Sequence, residues 1–435
     1  MLRYFDSFSL SGVQRVRIYS LLLMVFFSSP AFSDTHAPHD DAARASVLTG
    51  EGKTLPNHVS RMRLIHKYLA GNKGFSSAGK KEDFGFQLRT HISTLVAEYG
   101  VTDALTVQLV LPFVTSRQLA MDGQLFQQSS KYSELYRNFL NKASVNLVSK
   151  GLCATVESCL IAISEKGLAL PYQMEVVLPT GEKLLVNAGV PLRDVASSLV
   201  TRSAIPAFGR TGLGDVEGGV LLALADPVEG LWRKDLPVHI SVGAGLRIPS
   251  GSFSAVPLAQ GPTGRGTWDV GLRTNLDWFP FSGLVLSHQN QWELMIVSGK
   301  KKRTSLLESG MLNVADVNTI GADGEPNTAT FKRDGLRSVG LLKVAWALES
   351  ISPLLERLSL NAQYKYDLDP ATRVEQSEFS KSSSLSSVQC GVSLSGFDFF
   401  IPLQWDVDYE VPVSGRNRIV VPVVWSYSLK LFHRF

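Results

Sequence analysis

Polar and apolar residues alternate with a period of two over much of this chain. In Leu236 to Ile248 one parity reads Leu236, Val238, Ile240, Val242, Ala244, Leu246 and Ile248, and the other carries His239, Ser241, Gly243, Gly245 and Arg247. Trp268 to Trp278 sets Trp268, Val270, Leu272, Leu276 and Trp278 against Asp269, Gly271, Arg273, Asn275 and Asp277. Phe399 to Val411 sets Phe399, Ile401, Leu403, Trp405, Val407, Tyr409 and Val411 against Gln404, Asp406, Asp408 and Glu410. Successive side chains of a strand point to opposite faces, so each segment has one apolar face and one polar face. About twelve segments of this kind have the length that a tilted strand needs to cross a bilayer, roughly 9–11 residues. They lie near 58–69, 84–98, 104–116, 213–224, 236–248, 268–278, 283–297, 334–347, 357–367, 383–395, 399–411 and 418–435.

A soluble sandwich also buries one face and wets the other. The aromatics separate the two cases. Trp268 and Trp278 bracket one strand, Phe399 and Tyr409 lie near the ends of another, and the last strand stops on Phe435. Interfacial girdles ask for that placement. The polar faces carry charges at mid-strand, which a lumen tolerates and lipid does not. The expected fold is therefore all-β: a transmembrane, antiparallel, up-and-down β-barrel. Connection lengths agree. Gly100 to Asp103, Asp226 to Asp235, Phe279 to Ser282, Glu349 to Glu356 and Ser395 to Phe397 are short, while 70–83, 117–212, 249–265, 298–333 and 368–382 are longer. Bacterial barrels have short periplasmic turns and long extracellular loops. Only the last outer loop, Pro412 to Asn417, is short. In 283–297, His288 and Asn290 fall on the nominal lipid face, which predicts a shifted register or a bulge there.

The N-terminus fits export. Arg3, Arg15 and Arg17 precede the apolar run Leu21 to Phe27, and Ala31 and Ser33 occupy the small-residue positions of a cleavage site. Residues 1–33 are expected to be a signal peptide, 34–57 a periplasmic segment, and 58–435 the barrel. No other run reaches the roughly 18 apolar residues of a membrane helix. The formal charge is +4, and the signal carries three Arg and one Asp, which leaves about +2 and points to no nucleic-acid partner. Cys153 and Cys159 are close enough to pair in an oxidising periplasm, whereas Cys390 has apolar neighbours in parity and reads as unpaired and lipid-facing.

The segment 117–212 is not strand-like throughout. Tyr132, Leu135, Tyr136, Phe139 and Leu140 recur at helical spacing, and a second stretch runs from Cys153 to Lys166. This partly helical loop is expected either to cap or constrict the mouth or to decorate the surface.

Glu98-Tyr99-Gly100-Val101-Thr102-Asp103, followed by Leu105-Thr106-Val107 and Leu111-Pro112-Phe113, resembles the strand-turn-strand of one barrel family. This is the outer-membrane channel family named after the meta-pathway of phenol degradation, grouped with FadL-like hydrophobic-compound transporters. Gly212-Leu213-Gly214-Asp215, and Gly245 to Gly251 with Gly266 to Gly271, are similar to further elements of that family. The resemblance covers roughly 84–116 and 212–278. It implies passive transport of hydrophobic or aromatic small molecules. The long insert departs from the family's compact pattern. Gly100, Asp103 and Asp215 are expected to make turns, not chemistry.

Catalysis is not expected. The pairs His58/Ser60, His91/Ser93 and His239/Ser241 each put a base and a hydroxyl on one strand face. Outer-membrane lipid hydrolases, however, follow such a serine with Asn and turn the pair to the lipid. Here Ser60 precedes Arg61, Ser93 precedes Thr94, Ser241 precedes Val242, and His91 and His239 are expected in the lumen. No Cys/His cluster has metal-ligand spacing and no glycine loop fits a phosphate, so no cofactor or metal is expected. The run Lys300-Lys301-Lys302-Arg303 falls in an outer loop, suited to lipopolysaccharide phosphates or simply to solvent.

The sequence thus predicts a channel in the outer membrane of a Gram-negative bacterium. Its wall is expected from Arg89, His91, His239, Arg247, Asp269, Arg273, Asp277, Lys365 and Asp406. Tyr132, Tyr136 and Phe139 are expected as aromatics at the mouth. Expected partners are membrane lipid and lipopolysaccharide, the barrel assembly machinery through Phe435, and a small-molecule solute. A plugged barrel with a surface role and a lipid hydrolase are the alternatives.

Overall fold

A computed structural model describes residues 53–434, apart from 150, 170–172, 178–182, 203–207, 226–236, 252–266, 282, 298, 303–327, 351, 353–354, 375–376, 381, 397–401 and 419. The expected signal peptide, most of the periplasmic segment, Arg303 and Phe435 lie outside the described residues.

The chain closes into an antiparallel barrel of 12 strands. In chain order these are β1 (Val59–Phe75), β2 (Lys81–Thr102), β3 (Leu105–Met121), β4 (Val216–Ala225), β5 (Val238–Ile248) and β6 (Trp268–Phe281). They continue as β7 (Leu284–Val297), β8 (Arg337–Ala347), β9 (Leu358–Asp369), β10 (Ser383–Gly396), β11 (Leu403–Arg416) and β12 (Val423–Arg434). Each pairs with its sequence neighbour, and β12 closes on β1 from Val59↔Arg434 to Ala70↔Val423. A piece Phe208–Leu213 pairs with the outer half of β3 and continues the line of β4.

The alternation sorts the faces. Leu64, Leu109, Phe113, Leu272, Trp278, Leu342, Trp346, Leu360, Trp405 and Trp425 are exposed on the outside. A band of that size far exceeds the apolar patch of a water-soluble monomer, and hydrocarbon is the solvent that makes it cheap. The exposed, unpaired Cys390 lies on this face, as the sequence indicates. Beyond the barrel, Gly299–Lys302, Thr328–Arg333, Thr372–Val374 and Ser377–Ser380 form a four-stranded outer sheet. The basic run 300–302 is thus strand, not a loose loop tip. The segment 70–83 is also no long loop, because β1 and β2 extend through it to a short turn at 76–80.

β7 keeps its register across the doubtful stretch. Its pairing with β6 shifts only near Leu284 and Met295, so His288 and Asn290 do face outward. Their polarity is met locally. The Tyr366 hydroxyl donates to Asn290 Oδ1 at 2.6 Å, and Asn290 Nδ2 lies 3.3 Å from His288 Nε2. Tyr366 on β9 reaches β7 by lying across Gly340 on β8, where any Cβ would meet its ring. Gly340→Val is expected to displace Tyr366, strip Asn290 of its donor, and cost about 1–3 kcal/mol as overpacking does. The temperature at which the barrel loses its fast electrophoretic migration should fall; an unchanged value would refute the account.

Gly100 is a correction. It does not take the positive φ of a turn glycine. It is small because the segment before β1 crosses it, with the Leu55 carbonyl oxygen 2.7 Å from where a Cβ would stand. Asp103 does serve its turn: its carboxylate accepts from Asn57 N at 2.7 Å. Asp215 accepts from Gly251 N at 3.1 Å, and Ser250 Oγ bridges Val216 N and the Gly214 carbonyl. The two glycine motifs that are far apart in sequence are therefore one latch in space.

Candidate functional site: the lumen and its helical cap

Inward-facing charges gather in tiers. At the outer end of the wall, Arg247 on β5 donates to Glu217 on β4 at 2.7 Å, to Asp269 on β6 at 3.0 Å, and to both carboxylate oxygens of Glu293 on β7 at 3.1 and 3.2 Å. Arg337 on β8 donates to Glu293 at 3.2 Å and twice to Asp367 on β9, both at 3.0 Å. Arg418, in the β11–β12 connection, reaches Asp367 at 3.3 Å. One belt of alternating charge thus spans six adjacent strands. It forms because each strand puts every second residue inward and neighbouring strands are in register.

In the middle tier, Lys365 meets Glu410 at 3.4 Å, Arg273 donates to Asn275 at 2.8 Å, and Asn275 donates to Ser241 at 2.9 Å. Near the short-turn end, Glu98 accepts from Arg61 and Arg63, and Lys430 meets Asp406 at 3.0 Å. There the lumen is filled by side chains: His239 and Gln404 are fully buried, Arg61 is 1% exposed, and Asp277 stands opposite His239 in register. A buried charge is tolerable only when paired, and Glu98 with Arg61 and Arg63, like Asp406 with Lys430, is paired.

The insert folds into a helical unit, the cap, packed against the end of β2 that carries Phe84 and Phe86. Helices α1 (Gly123–Gln127), α2 (Ser130–Ser149), α3 (Val156–Ser164) and α4 (Leu192–Arg202) share a core of Phe126, Leu135, Phe139, Ile163, Val195 and Val200. That core continues onto Phe84, Phe86 and Leu88, on the inward parity of β2. Asp122 caps α1 by accepting from Gln124 N and Leu125 N. Thr155 and Ser158 form a capping box at α3. Cys153 and Cys159 form a disulfide. The insert is therefore tied to the inward-facing side of β2. Its aromatics turn inward. Phe139 is buried, and Tyr132 stacks on Tyr136 at 5.8 Å and donates to Ser197 Oγ at 2.8 Å. Burial, with Tyr132 and Asp194 adding to it, raises the Tyr136 phenol above its ordinary value.

The wall residues read from the sequence divide in two. His239, Arg247, Asp269, Arg273, Asp277, Lys365 and Asp406 share the inward parity of their strands. Arg89 and His91 do not. They share parity with Ser93, Leu95 and Ala97, opposite Ala70, Tyr68, His66, Leu64 and Met62 of the outward face. The apolar even face of β2 misled the reading: Phe84, Phe86 and Leu88 are apolar because they hold the cap. Glu217, Glu293, Arg337 and Asp367 complete the belt and escaped notice, because single charges near strand ends carry no motif. His66, opposite Ser93, was missed for the same reason.

No family model and no curated protein matches the chain. Among solved structures, an outer-membrane channel from Pseudomonas putida F1 is similar, with a TM-score of 0.52 at 11% identity, over 89% of this chain and 98% of that one. The toluene transporters TbuX of Ralstonia pickettii and TodX of P. putida align with TM-scores of 0.35 at 8% and 9% identity. Both cover 90% of this chain and 97% of theirs. At such identity the first likeness speaks for the fold, an outer-membrane barrel, and the other two are too distant to argue from.

Proposed function

We propose that the protein is a passive outer-membrane channel for small molecules, entered past the helical cap and lined by the tiers of paired charge. The observation that carries this is the inward belt from Glu217 to Arg418: a wall of fixed, compensated charge is what selects solutes in a pore. The sequence motifs that resemble the meta-pathway channels support hydrophobic or aromatic solutes. Lipid and lipopolysaccharide as surroundings, and assembly through Phe435, belong to the same reading. The fully buried His239 and Gln404 favour a second one, a barrel plugged at its short-turn end with a role at its surface.

Uptake of a labelled aromatic hydrocarbon by intact Gram-negative cells separates the two. Whole cells matter because lipopolysaccharide is the barrier under test. Faster uptake with the chain present is expected. Unchanged uptake, with the barrel folded in the outer membrane, would remove the hydrophobic-channel reading and leave the plugged one.

A further inference from the structure

On the face that β1 and β2 turn outward, His66, Ser93 and His91 stand where the apolar surface of Leu64, Leu95 and Phe113 gives way to exposed Arg89 and Gln87. His66 stands opposite Ser93, and Tyr68 opposite His91. Ser93 Oγ lies 3.0 Å from His66 Nδ1, and His66 Nε2 lies 3.4 Å from His91 Nδ1. With His66 protonated on Nε2, the Ser93 hydroxyl donates to His66 Nδ1 and His66 Nε2–H donates to His91 Nδ1; the opposite tautomers, with His91 Nδ1–H donating to His66 Nε2 and His66 Nδ1–H to Ser93 Oγ, fit the same distances. The Tyr68 ring holds the far imidazole, with centroids 4.7 Å apart. A register shift opposite His91 bulges β3, and Thr115 Oγ1 donates to the His91 carbonyl at 3.2 Å. Bulges of this kind re-aim side chains beside active sites.

The surroundings are those of an acyl chain. Exposed Leu64 and Phe113 flank the group on the same face, and His66 and Tyr68 stand opposite Tyr427 and Trp425 of β12. Trp425 in turn packs on Tyr409 at 4.5 Å, within a cluster of aromatics of the girdle kind. Ser93, His66 and His91 are all half-buried, so a molecule in the lipid can touch them. Alanine at these positions would cost nothing against hydrocarbon, whereas ionisable side chains there are expensive and by default functional. Exposed Arg89 lies four residues further outward on the same face of β2, about 13 Å along the strand. That is a cation on the headgroup side of the serine, suited to a phosphate.

We propose that Ser93, His66 and His91 form a nucleophile, base and orienting group that hydrolyses ester-linked acyl chains of lipids lying against β1 and β2. Ser93 Oγ attacks the ester carbonyl carbon as its proton passes to His66 Nδ1. The carbonyl carbon–oxygen bond to the alcohol breaks, and that alcohol leaves with the proton from His66. Water then attacks the acyl-serine; His66 takes the water proton and returns it to Ser93 Oγ as the fatty acid departs. Ester and water give acid and alcohol, with no change of oxidation state. Ser93 and His66 are the catalytic residues. His91 is a positioning residue that fixes the His66 tautomer and ring plane, as the third member of such triads does. The site lies outside the lumen and stands or falls independently of transport.

Two lipid classes carry acyl esters beside an anionic phosphate, so the test has two arms. The full-length protein, folded in vesicles of phosphatidylethanolamine and phosphatidylglycerol, or mixed with purified lipopolysaccharide, is assayed for released fatty acid, and Ser93 is probed with a fluorophosphonate. Wild type should release fatty acid in at least one arm, which identifies the source, and should be labelled at Ser93. Ser93→Ala should abolish both signals. His66→Ala should lower release about 10²–10⁴-fold, the usual value of a general base. His91→Ala should lower it less, and His91→Asn, which keeps an acceptor for His66 Nε2–H, should restore most of it. Heat-modifiable migration checks that each variant is folded. A folded wild type that releases nothing in either arm and takes no label, or release that survives Ser93→Ala, would overturn the proposal.

Discussion

Glu293→Gln should turn the ion preference of the pore toward anions. The outer belt holds four carboxylates, Glu217, Asp269, Glu293 and Asp367, against three guanidiniums, Arg247, Arg337 and Arg418. Glu293 is its hinge, because it accepts from both Arg247 and Arg337. Glutamine keeps the volume and removes one charge, so the belt passes from a net excess of carboxylate to balance. Fixed charge on a pore wall sets selectivity, so the reversal potential in a planar bilayer under a salt gradient should move toward the anion limit. Stability should fall as well. Each arginine keeps another carboxylate, so the loss is that of charged hydrogen bonds, about 1–3 kcal/mol, and not that of a stranded charge. A variant with the wild-type reversal potential would show that ions do not pass the belt.

Phe86→Ala should release the cap. Phe86 is fully buried, packs edge-on against Phe126 at 5.7 Å, and is the point where the insert's core meets the inward face of β2. Removing a buried phenyl ring costs about 3–5 kcal/mol, which is a large part of what one such contact surface can supply. The barrel ladder does not use that ring, so the strands should stay closed while the insert is cut more readily by added protease. Conductance should rise if the cap restricts the mouth. Rapid cleavage with unchanged conductance would separate the two ideas and show a cap that covers without obstructing. Wild-type resistance to protease would remove the docking account itself.

Much of this barrel is legible as alternation. β5, β6, β9 and β11 read correctly because one face meets hydrocarbon and the other meets charge, so a single comparison fixes both. β2 reads backwards, and the reason is physical. In its outer half the inward positions Phe84, Phe86 and Leu88 are apolar because they touch the helical core of the insert, while the outward positions Gln87, Arg89 and His91 are polar. Period-two reasoning assumes that apolar means lipid, and it has no way to see a second apolar partner arriving from ninety residues downstream. The same error turned the pair His91/Ser93 to the lumen, and His66 joins it only when β1 is laid beside β2. The outer belt was half visible. Arg247 and Asp269 stand in strongly alternating strands, whereas Glu293 lies between the mid-strand polar run 287–291 and the apolar end of β7, where alternation breaks down, and Arg337 is the first residue of β8.

The latch of Gly214, Asp215, Ser250 and Gly251 bears on the order of assembly. Strands β3 and β4 are consecutive in the wall yet separated in the chain by the whole cap, so among pairs of strands that follow one another in the chain theirs closes by far the longest loop. The entropy of that closure falls if the cap has already condensed, because a folded insert brings its two ends near each other before the strands meet. The disulfide between Cys153 and Cys159 then becomes a timing element: oxidation in the periplasm, ahead of insertion, would shorten the search. A cell lacking its thiol oxidant should accumulate this chain as an unassembled precursor, even though no strand of the barrel contains either cysteine.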